Sequence, residues 1–335
     1  MKKAIFLNET PFRIEWVYSP EVRARLRLLA DFTDDIYNRE NVLSDPDKFR
    51  DTEIIFTTWG MSVMSAEEIA RYFPKLECVF YAAGTVQYFA RPFIERGVKV
   101  FSAWAANAVP VVEFAVAQII LANKGYFAHS YFMKNQNIER CKELKKLYPG
   151  NYNESVGLLG CGMIGAAVAE RLKAYKLRVL AFDPFMSDEK AEALGVQKAS
   201  LEEIFATCRV VSNHLANNRD TVGMMNYSHF SSMMPYSTFI NTGRGAQLIE
   251  EDLIRVLRER PDVTAILDVT YPKEPPERDH PFYSLPNCFL TPHIAGSLGS
   301  EVVRMAEYMA EEFEAYLKGE PTRYEVSLKM LETMA

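Results

Sequence analysis

The sequence is short of several things, and each shortage excludes a class of protein. No uninterrupted apolar run approaches the roughly 20 residues a membrane helix needs; the most apolar stretch, Ala115–Ala122, contains Gln118 and sits among Glu113, Asn123 and Lys124. No membrane partner is expected. At the N-terminus only Ala4–Leu7 is apolar before Asn8 and Glu9, so no secretory leader is expected either. Cysteines number five, at 78, 141, 161, 208 and 288, odd in count and without a C-x-x-C pair. That argues against a disulfide framework or structural zinc and for reduced thiols in a cytoplasm, with no metal site. Basic charge is not in excess: 38 Lys and Arg against 44 Asp and Glu give −6, without a polybasic cluster, so nucleic acid is not the expected partner.

What is present is an ordinary globular composition, 48% hydrophobic and 24% charged over 335 residues, enough for about two domains. Short apolar runs at 4–7, 54–57, 78–82 and 98–101 alternate with helical stretches at 20–30 and 65–73, the βα pattern of a small parallel sheet. A long apolar helix follows over 109–124. The charged stretch 126–153, with Glu139, Arg140, Lys142, Glu143, Lys145 and Lys146, reads as a solvated face and linker. A more regular series then begins, with strands at 155–159, 178–182, 209–214, 238–241, 265–269 and 288–291 separated by helices at 164–175, 188–194, 201–207 and 250–258. It specifies a doubly wound parallel sheet. A last helix is expected over 301–318.

Between the strand 155–159 and its helix lies Gly160-Cys161-Gly162-Met163-Ile164-Gly165. Gly160 permits the tight turn, Gly162 lets backbone approach a pyrophosphate, and Gly165 lets helix pack on strand, with the helix N-terminus facing the anion. The next strand ends at Asp183, whose carboxylate can accept from both ribose hydroxyls and would repel a 2′-phosphate, so NAD is favoured over NADP. A methyltransferase shares this half of the pattern. Beyond the later strand ends stand His214, Thr242-Gly243-Arg244-Gly245, Asp268 and Thr291-Pro292-His293. Each has a plainer reading: a hydrogen-bonded structural histidine, a surface turn, a cap. Together they converge on the rim where an open α/β sheet binds ligands. Arg244 offers a planar fork for a carboxylate. His293 is the candidate acid/base, and Glu274 is a carboxylate able to orient it or a solvated acid of a proline-rich loop.

These blocks resemble the D-isomer-specific 2-hydroxyacid dehydrogenases. The likeness runs from about Leu76 to Leu317 and is carried by Val156–Gly165, Asn241–Gly245, Leu267–Val269 with Glu274-Pro275, and Leu290–Gly296. It implies Arg244, Glu274 and His293 as the catalytic set. It implies cofactor contacts at Gly160, Gly162, Met163, Ile164, Gly165, Asp183, His214, Leu215, Thr242, Gly243 and Asp268, the last for the nicotinamide carboxamide. It also implies a layout in which a Rossmann NAD-binding domain, 102–296, is inserted into a smaller flavodoxin-like α/β substrate domain, 1–101 and 297–335. The helix from Val109 would form a homodimer contact, with Asn107 and Glu113 in the family block at its start.

The sequence departs from the family at Tyr81–Gln87, where Val86 replaces an acid, though backbone N–H groups of Ala83 and Gly84 could join Arg244 in holding a substrate carboxylate. His214-Leu215-Ala216 lacks the usual proline, and one extra residue stands between Asp268 and Glu274. Trp59 and Trp104 suggest a substrate bulkier than glyoxylate. The expected reaction is hydride transfer between NAD(H) and a 2-keto/2-hydroxy acid pair. Two alternatives share the scaffold: an NAD(H)-sensing module like the C-terminal-binding-protein corepressors, disfavoured by the lack of a tail after Leu331–Ala335, and phosphite or formate oxidation.

Overall fold

A computed structural model of the chain describes residues 1–332, with residue 34 described by its backbone alone. Residues 333–335, the end of the expected substrate-domain segment, lie outside the described residues. The chain divides into two units, residues 1–108 with the segment from 297 onward, and residues 109–296. The first boundary thus falls after Ala108 instead of Phe101. Residues 102 and 103 are tied into the first unit: Ser102 Oγ donates to Ala83 O (2.9 Å) and Gly84 O (2.6 Å), and Ala103 N donates to Ala83 O (2.9 Å). Asn107, inside a helix and not capping it, accepts from Ser297 N at 2.9 Å, joining the two crossing segments.

The first unit holds strands β1 (Lys2–Leu7), β2 (Ala30–Tyr37), β3 (Ile54–Thr57), β4 (Cys78–Tyr81) and β5 (Lys99–Ser102). They run parallel in the order β2-β1-β3-β4-β5, the flavodoxin-like order, and Glu325–Val326 adds an antiparallel edge beside β5. The strand β2 and the helix Pro11–Val17 escape the sequence pattern. β2 carries three aspartates among its eight residues, a charge density that suits an edge strand and hides the period-2 signal.

Register puts one phenylalanine from each of four neighbouring strands side by side: Phe6 pairs with Phe56, Phe56 with Phe80, and Phe80 with Phe101. Phe80 stacks on Phe56 at 5.1 Å and on Phe101 at 4.7 Å between ring centroids. Phe313, from the helix Val302–Lys318, closes the ladder edge-on against Phe56 and Phe80. Such cross-strand pairs and the large apolar area they bury hold sheet and helix together.

The second unit contains β6 (Tyr152–Leu159), β7 (Lys176–Phe182), β8 (Gln197–Lys198), β9 (Val210–Asn213), β10 (Thr238–Asn241), β11 (Thr264–Leu267) and β12 (Cys288–Leu290). Their order, β8-β7-β6-β9-β10-β11-β12, is all parallel, with the topological switch between β6 and β9. The stretch expected as a linker forms two short helices, Tyr126–Lys134 and Ile138–Leu144, whose exposed charges pair along the surface (Lys142 with Glu139, Arg140 with Glu143).

The apolar helix runs over Trp104–Asn123, starting five residues earlier than expected. By length and composition it is apolar enough to cross a membrane, in contrast to the expectation from its short uninterrupted run. Val112, Ala115, Ile119 and Ala122 pack into the core of the second unit, which accounts for that apolarity.

Phe80→Ala should lower the stability of the first unit by about 3–5 kcal/mol, because the cavity opens in the centre of the ladder. Trp16, Trp59 and Trp104, the three tryptophans, all lie in this unit. Tryptophan fluorescence during urea unfolding therefore reads it selectively, and the midpoint should fall.

Candidate active site

The loop after β6 is shaped by close backbone approaches. Gly160 has φ +86°, and a Cβ there would stand 2.8 Å from His214 O; one on Gly165 would stand 1.9 Å from Gly160 O. Only glycine fits both positions. Around Gly162, in contrast, a Cβ would meet nothing within 4 Å, so that side of the turn is open. The helix Met163–Leu172 begins there with no side-chain cap, which leaves its first N–H groups for an anion. Met163 is exposed and Ile164 half-buried beside it.

Asp183, just past β7, stands against this turn. Its Oδ2 accepts from Cys161 N (2.8 Å) and its Oδ1 from Phe185 N (2.9 Å), which fixes the carboxylate and leaves each oxygen a second lone pair. Lys190, unremarked in the sequence, donates to Cys161 O at 2.7 Å and steadies the same turn. His214 N donates to Leu159 O (2.7 Å), and its imidazole Nε2 meets Ser212 Oγ at 3.0 Å. Burial pushes that imidazole down to about 4, so it stays neutral at ordinary pH. It is a packing and hydrogen-bonding group and not a proton donor. Thr242 Oγ1 is buried without a hydrogen-bond partner. An open glycine turn, an uncapped helix, a fixed carboxylate and an unsatisfied hydroxyl together suit a dinucleotide such as NAD.

Arg244 is placed by an amide network that the sequence pattern did not reveal beyond Asn241. Gln247 Oε1 accepts from Asn213 Nδ2 (2.6 Å) and Arg244 N (3.1 Å), while its Nε2 donates to Leu215 O (2.9 Å) and Ala216 O (3.0 Å). Asn241 Oδ1 accepts from Asn213 Nδ2 and Gly243 N, and its Nδ2 donates to Arg244 O. All three amides are buried. The available signal was a polar residue at the end of β9 and another three positions past Arg244. The guanidinium itself donates once, to Gly243 O at 2.8 Å. Burial lowers its pKa, and the nearby negative charge of Glu274 raises it.

Glu274 and His293 come together: Glu274 Oε1 bonds His293 Nδ1. His293 Nε2 has no partner among the described residues, and the ring is half exposed. Asp268, expected as a cofactor contact, has its carboxylate committed mainly to the loop that carries His293. Oδ1 accepts from Thr291 Oγ1 (2.5 Å) and Ile294 N (2.8 Å), and Oδ2 from Ala295 N (2.9 Å), with one lone pair to spare. A cavity of about 140 Å³ lies against Glu274, walled by Asp268, Thr270, Tyr283 and Thr291, with room for several waters.

In the first unit, Ala83 does not have the role expected of it. Its N–H donates to Tyr81 O at 2.9 Å and the residue is fully buried, because the chain turns tightly at the end of β4. Gly84 is half-buried and its N–H has no partner among the described residues. Trp104 rests edge-on against Tyr324 at 5.5 Å, as part of the core wall. Glu113 makes an exposed pair with Arg171 at 3.5 Å.

Glu250 lies outside the expected set yet governs the loop bearing Glu274. It accepts from Tyr271 N at 2.8 Å and faces His280 Nε2 at 3.5 Å. Burial, with a small addition from Glu251, pushes its carboxyl up to about 7. A folded pKa above the unfolded one means that its contribution is fully present below about pH 4.5 and is lost as pH rises through 7. Glu250→Gln should therefore flatten the loss of stability between pH 5 and 8. After solvent screening the difference should be about 1–2 kcal/mol, read from urea midpoints at the two pH values.

A family model described as "D-isomer specific 2-hydroxyacid dehydrogenase, NAD binding domain" matches residues 116–295. The chain is 30% identical over 292 residues to D-3-phosphoglycerate dehydrogenase of Archaeoglobus fulgidus, covering 80% of this chain and 55% of that protein. It is 29% identical over 255 residues to glyoxylate reductase of Korarchaeum cryptofilum, covering 76% of each. In fold it is similar to apo D-mandelate dehydrogenase of Rhodotorula graminis, with TM-score 0.81, 18% identity and 98% of each chain covered. The chain thus spans little more than half the length of the phosphoglycerate relative. With 116–295 making up more than half of the sequence, the chain belongs to the D-isomer-specific 2-hydroxyacid dehydrogenases, and its second unit is that family's NAD-binding domain.

Proposed function

We propose that the protein interconverts a 2-keto acid and the corresponding D-2-hydroxy acid. The observation that carries this reading is the Glu274–His293 hydrogen bond beside Arg244, all three at the carboxyl ends of β10–β12. When bound, NAD(H) supplies or accepts the hydride; Gly160–Gly165, Asp183, His214, Leu215, Thr242, Gly243 and the spare lone pair of Asp268 would hold it. Because a carboxylate accepts only, Glu274 keeps a proton on His293 Nδ1 and holds the ring in one orientation. Nε2 then gives its proton to the carbonyl oxygen as negative charge develops there, and takes it back in the oxidation direction. Arg244 would take the substrate carboxylate, so that the keto carbon is presented in one orientation. A homodimer through the helix Trp104–Asn123, and a cytoplasmic setting for five buried free thiols, belong to the same proposal.

The test is NADH oxidation over a panel of 2-keto acids, with NADPH in parallel. His293→Ala should reduce kcat by about 10³-fold or more while NADH binding, read by fluorescence titration, stays within a few-fold. Turnover retained by that variant from pH 6 to 9 overturns the assignment. Tight NADH binding with no turnover of any keto acid by the wild type would favour a sensing module. Asp183→Gly should narrow the preference for NADH over NADPH at least tenfold, measured as the ratio of kcat/KM values.

A further inference from the structure

Glu274 is carried by the stretch 270–280 of the second unit, and among the described residues two side chains remote in sequence bond that stretch: His293 and Glu250. Its remaining hydrogen bonds come from within it or from the turn that follows. Thr270 Oγ1 donates to Lys273 O (2.7 Å), Lys273 pairs with Glu277, and Tyr283 Oη donates to Pro276 O (3.2 Å). Prolines at 272, 275 and 276 have no N–H to offer. Of the backbone donors left between 271 and 276, Tyr271 N is the one with an acceptor among the described residues, and that acceptor is Glu250.

Glu250 opens the helix Glu250–Glu259 and is 9% exposed. Its Oε1 accepts from Tyr271 N at 2.8 Å, and His280 Nε2 lies 3.5 Å from its Oε2. His280 Nδ1 accepts from Phe282 N (3.4 Å), so the proton of the neutral ring sits on Nε2 and faces the carboxylate. One side chain thus meets the stretch on both sides of Glu274. Gly245 packs on it as well: a Cβ there would stand 2.2 Å from Thr270 C, so the turn that carries Arg244 lies directly against the same backbone. Helix stability does not account for an acid in this place. Glu251 and Asp252 already supply negative charge to that first turn, and burying a third carboxylate costs free energy that a neutral side chain would not. What the buried carboxylate adds is an acceptor aimed at Tyr271 N.

We propose that Glu250 is a positioning residue for proton transfer: by holding Tyr271 N it fixes where Glu274 stands, and through Glu274 the orientation of His293. Its own contacts are Tyr271 and His280, so it acts through Glu274 and not on the substrate. This rests on the reading of the protein as a 2-keto acid reductase.

The test measures kcat and KM, with NADH and the keto acid the wild type turns over fastest, for Glu250→Ala, Glu250→Gln, Glu250→Asp, Glu274→Ala and the double variant Glu250→Ala with Glu274→Ala. Glu250→Ala should lower kcat about 10- to 50-fold while KM and NADH affinity stay within about threefold. In the Glu274→Ala background the same substitution should cost less than about twofold, because no carboxylate is left there to place. Glu250→Gln, which keeps the reach and an acceptor oxygen, should turn over faster than Glu250→Asp, which keeps the charge on a shorter arm; this comparison decides the matter if the alanine variant does not fold. Equal losses in the two backgrounds, a wild-type kcat in Glu250→Ala, or Glu250→Asp outperforming Glu250→Gln overturn the proposal and leave keto acid reduction standing. No turnover of any keto acid by the wild type overturns both.

Discussion

The candidate active site depends on one buried carboxylate. Asp268 follows the last residue of β11, is 1% exposed, and gathers Thr291 Oγ1, Ile294 N and Ala295 N around its two oxygens, while its carbonyl accepts from His293 N. A buried carboxylate that accepts three hydrogen bonds is costly to displace, so the loop after β12 has one conformation open to it. That conformation includes His293 at φ +55°, in the left-handed region that a side-chain-bearing residue adopts only when its surroundings impose it. The strain aims the imidazole at Glu274. Without Asp268 the loop would relax and the two catalytic candidates would separate.

Arg244 is held by a different device with the same logic. Gln247 uses both ends of its amide, four hydrogen bonds in all, to link the loops after β9 and β10, and Asn213 and Asn241 complete the lattice. Buried polar networks of this kind are stable only when every member is satisfied, which makes them specific as well as rigid. The arginine emerges from a backbone that cannot shift, with Gly243 O taking one N–H and the rest of the fork left for a ligand. An acid and an anion receptor are thus fixed by independent networks on neighbouring strands, and neither relies on the other for its position.

The sequence made six of the seven strands of the second sheet legible, because each carries a short apolar run whose last residue is followed by a chemically distinctive one, whereas β8 is two exposed polar residues without that signal. Glu274 was recognisable in the same way, despite the extra residue after Asp268, since the loop absorbs it and the carboxylate still reaches His293. The supporting residues were not legible. Gln247 and Glu250 look like ordinary polar residues beside a helix start, and only burial shows that one orders Arg244 and the other the Glu274 loop. In the first unit the edge strand β2 was hidden by its aspartates, and the role expected of Ala83 failed because a turn had already used its N–H. Periodicity reports which face is buried; it does not report where a particular hydrogen bond goes.

Charge ties these points together. The chain carries −6 overall, yet every ligand the family chemistry calls for is an anion, so attraction has to be local. At the glycine turn it comes from unpaired N–H groups of a helix start, with Lys190 close behind. At Arg244 it is tempered by Glu274, which faces both the guanidinium and His293. That one carboxylate moderates the pull on a substrate anion while orienting the imidazole, so binding and proton transfer are set by the same side chain. A replacement of Glu274 by a neutral residue therefore changes two quantities in opposite directions. Anion attraction at Arg244 rises, and the hydrogen bond that orients His293 is lost. Tighter keto acid binding with slower turnover is the signature expected of a group placed to serve both.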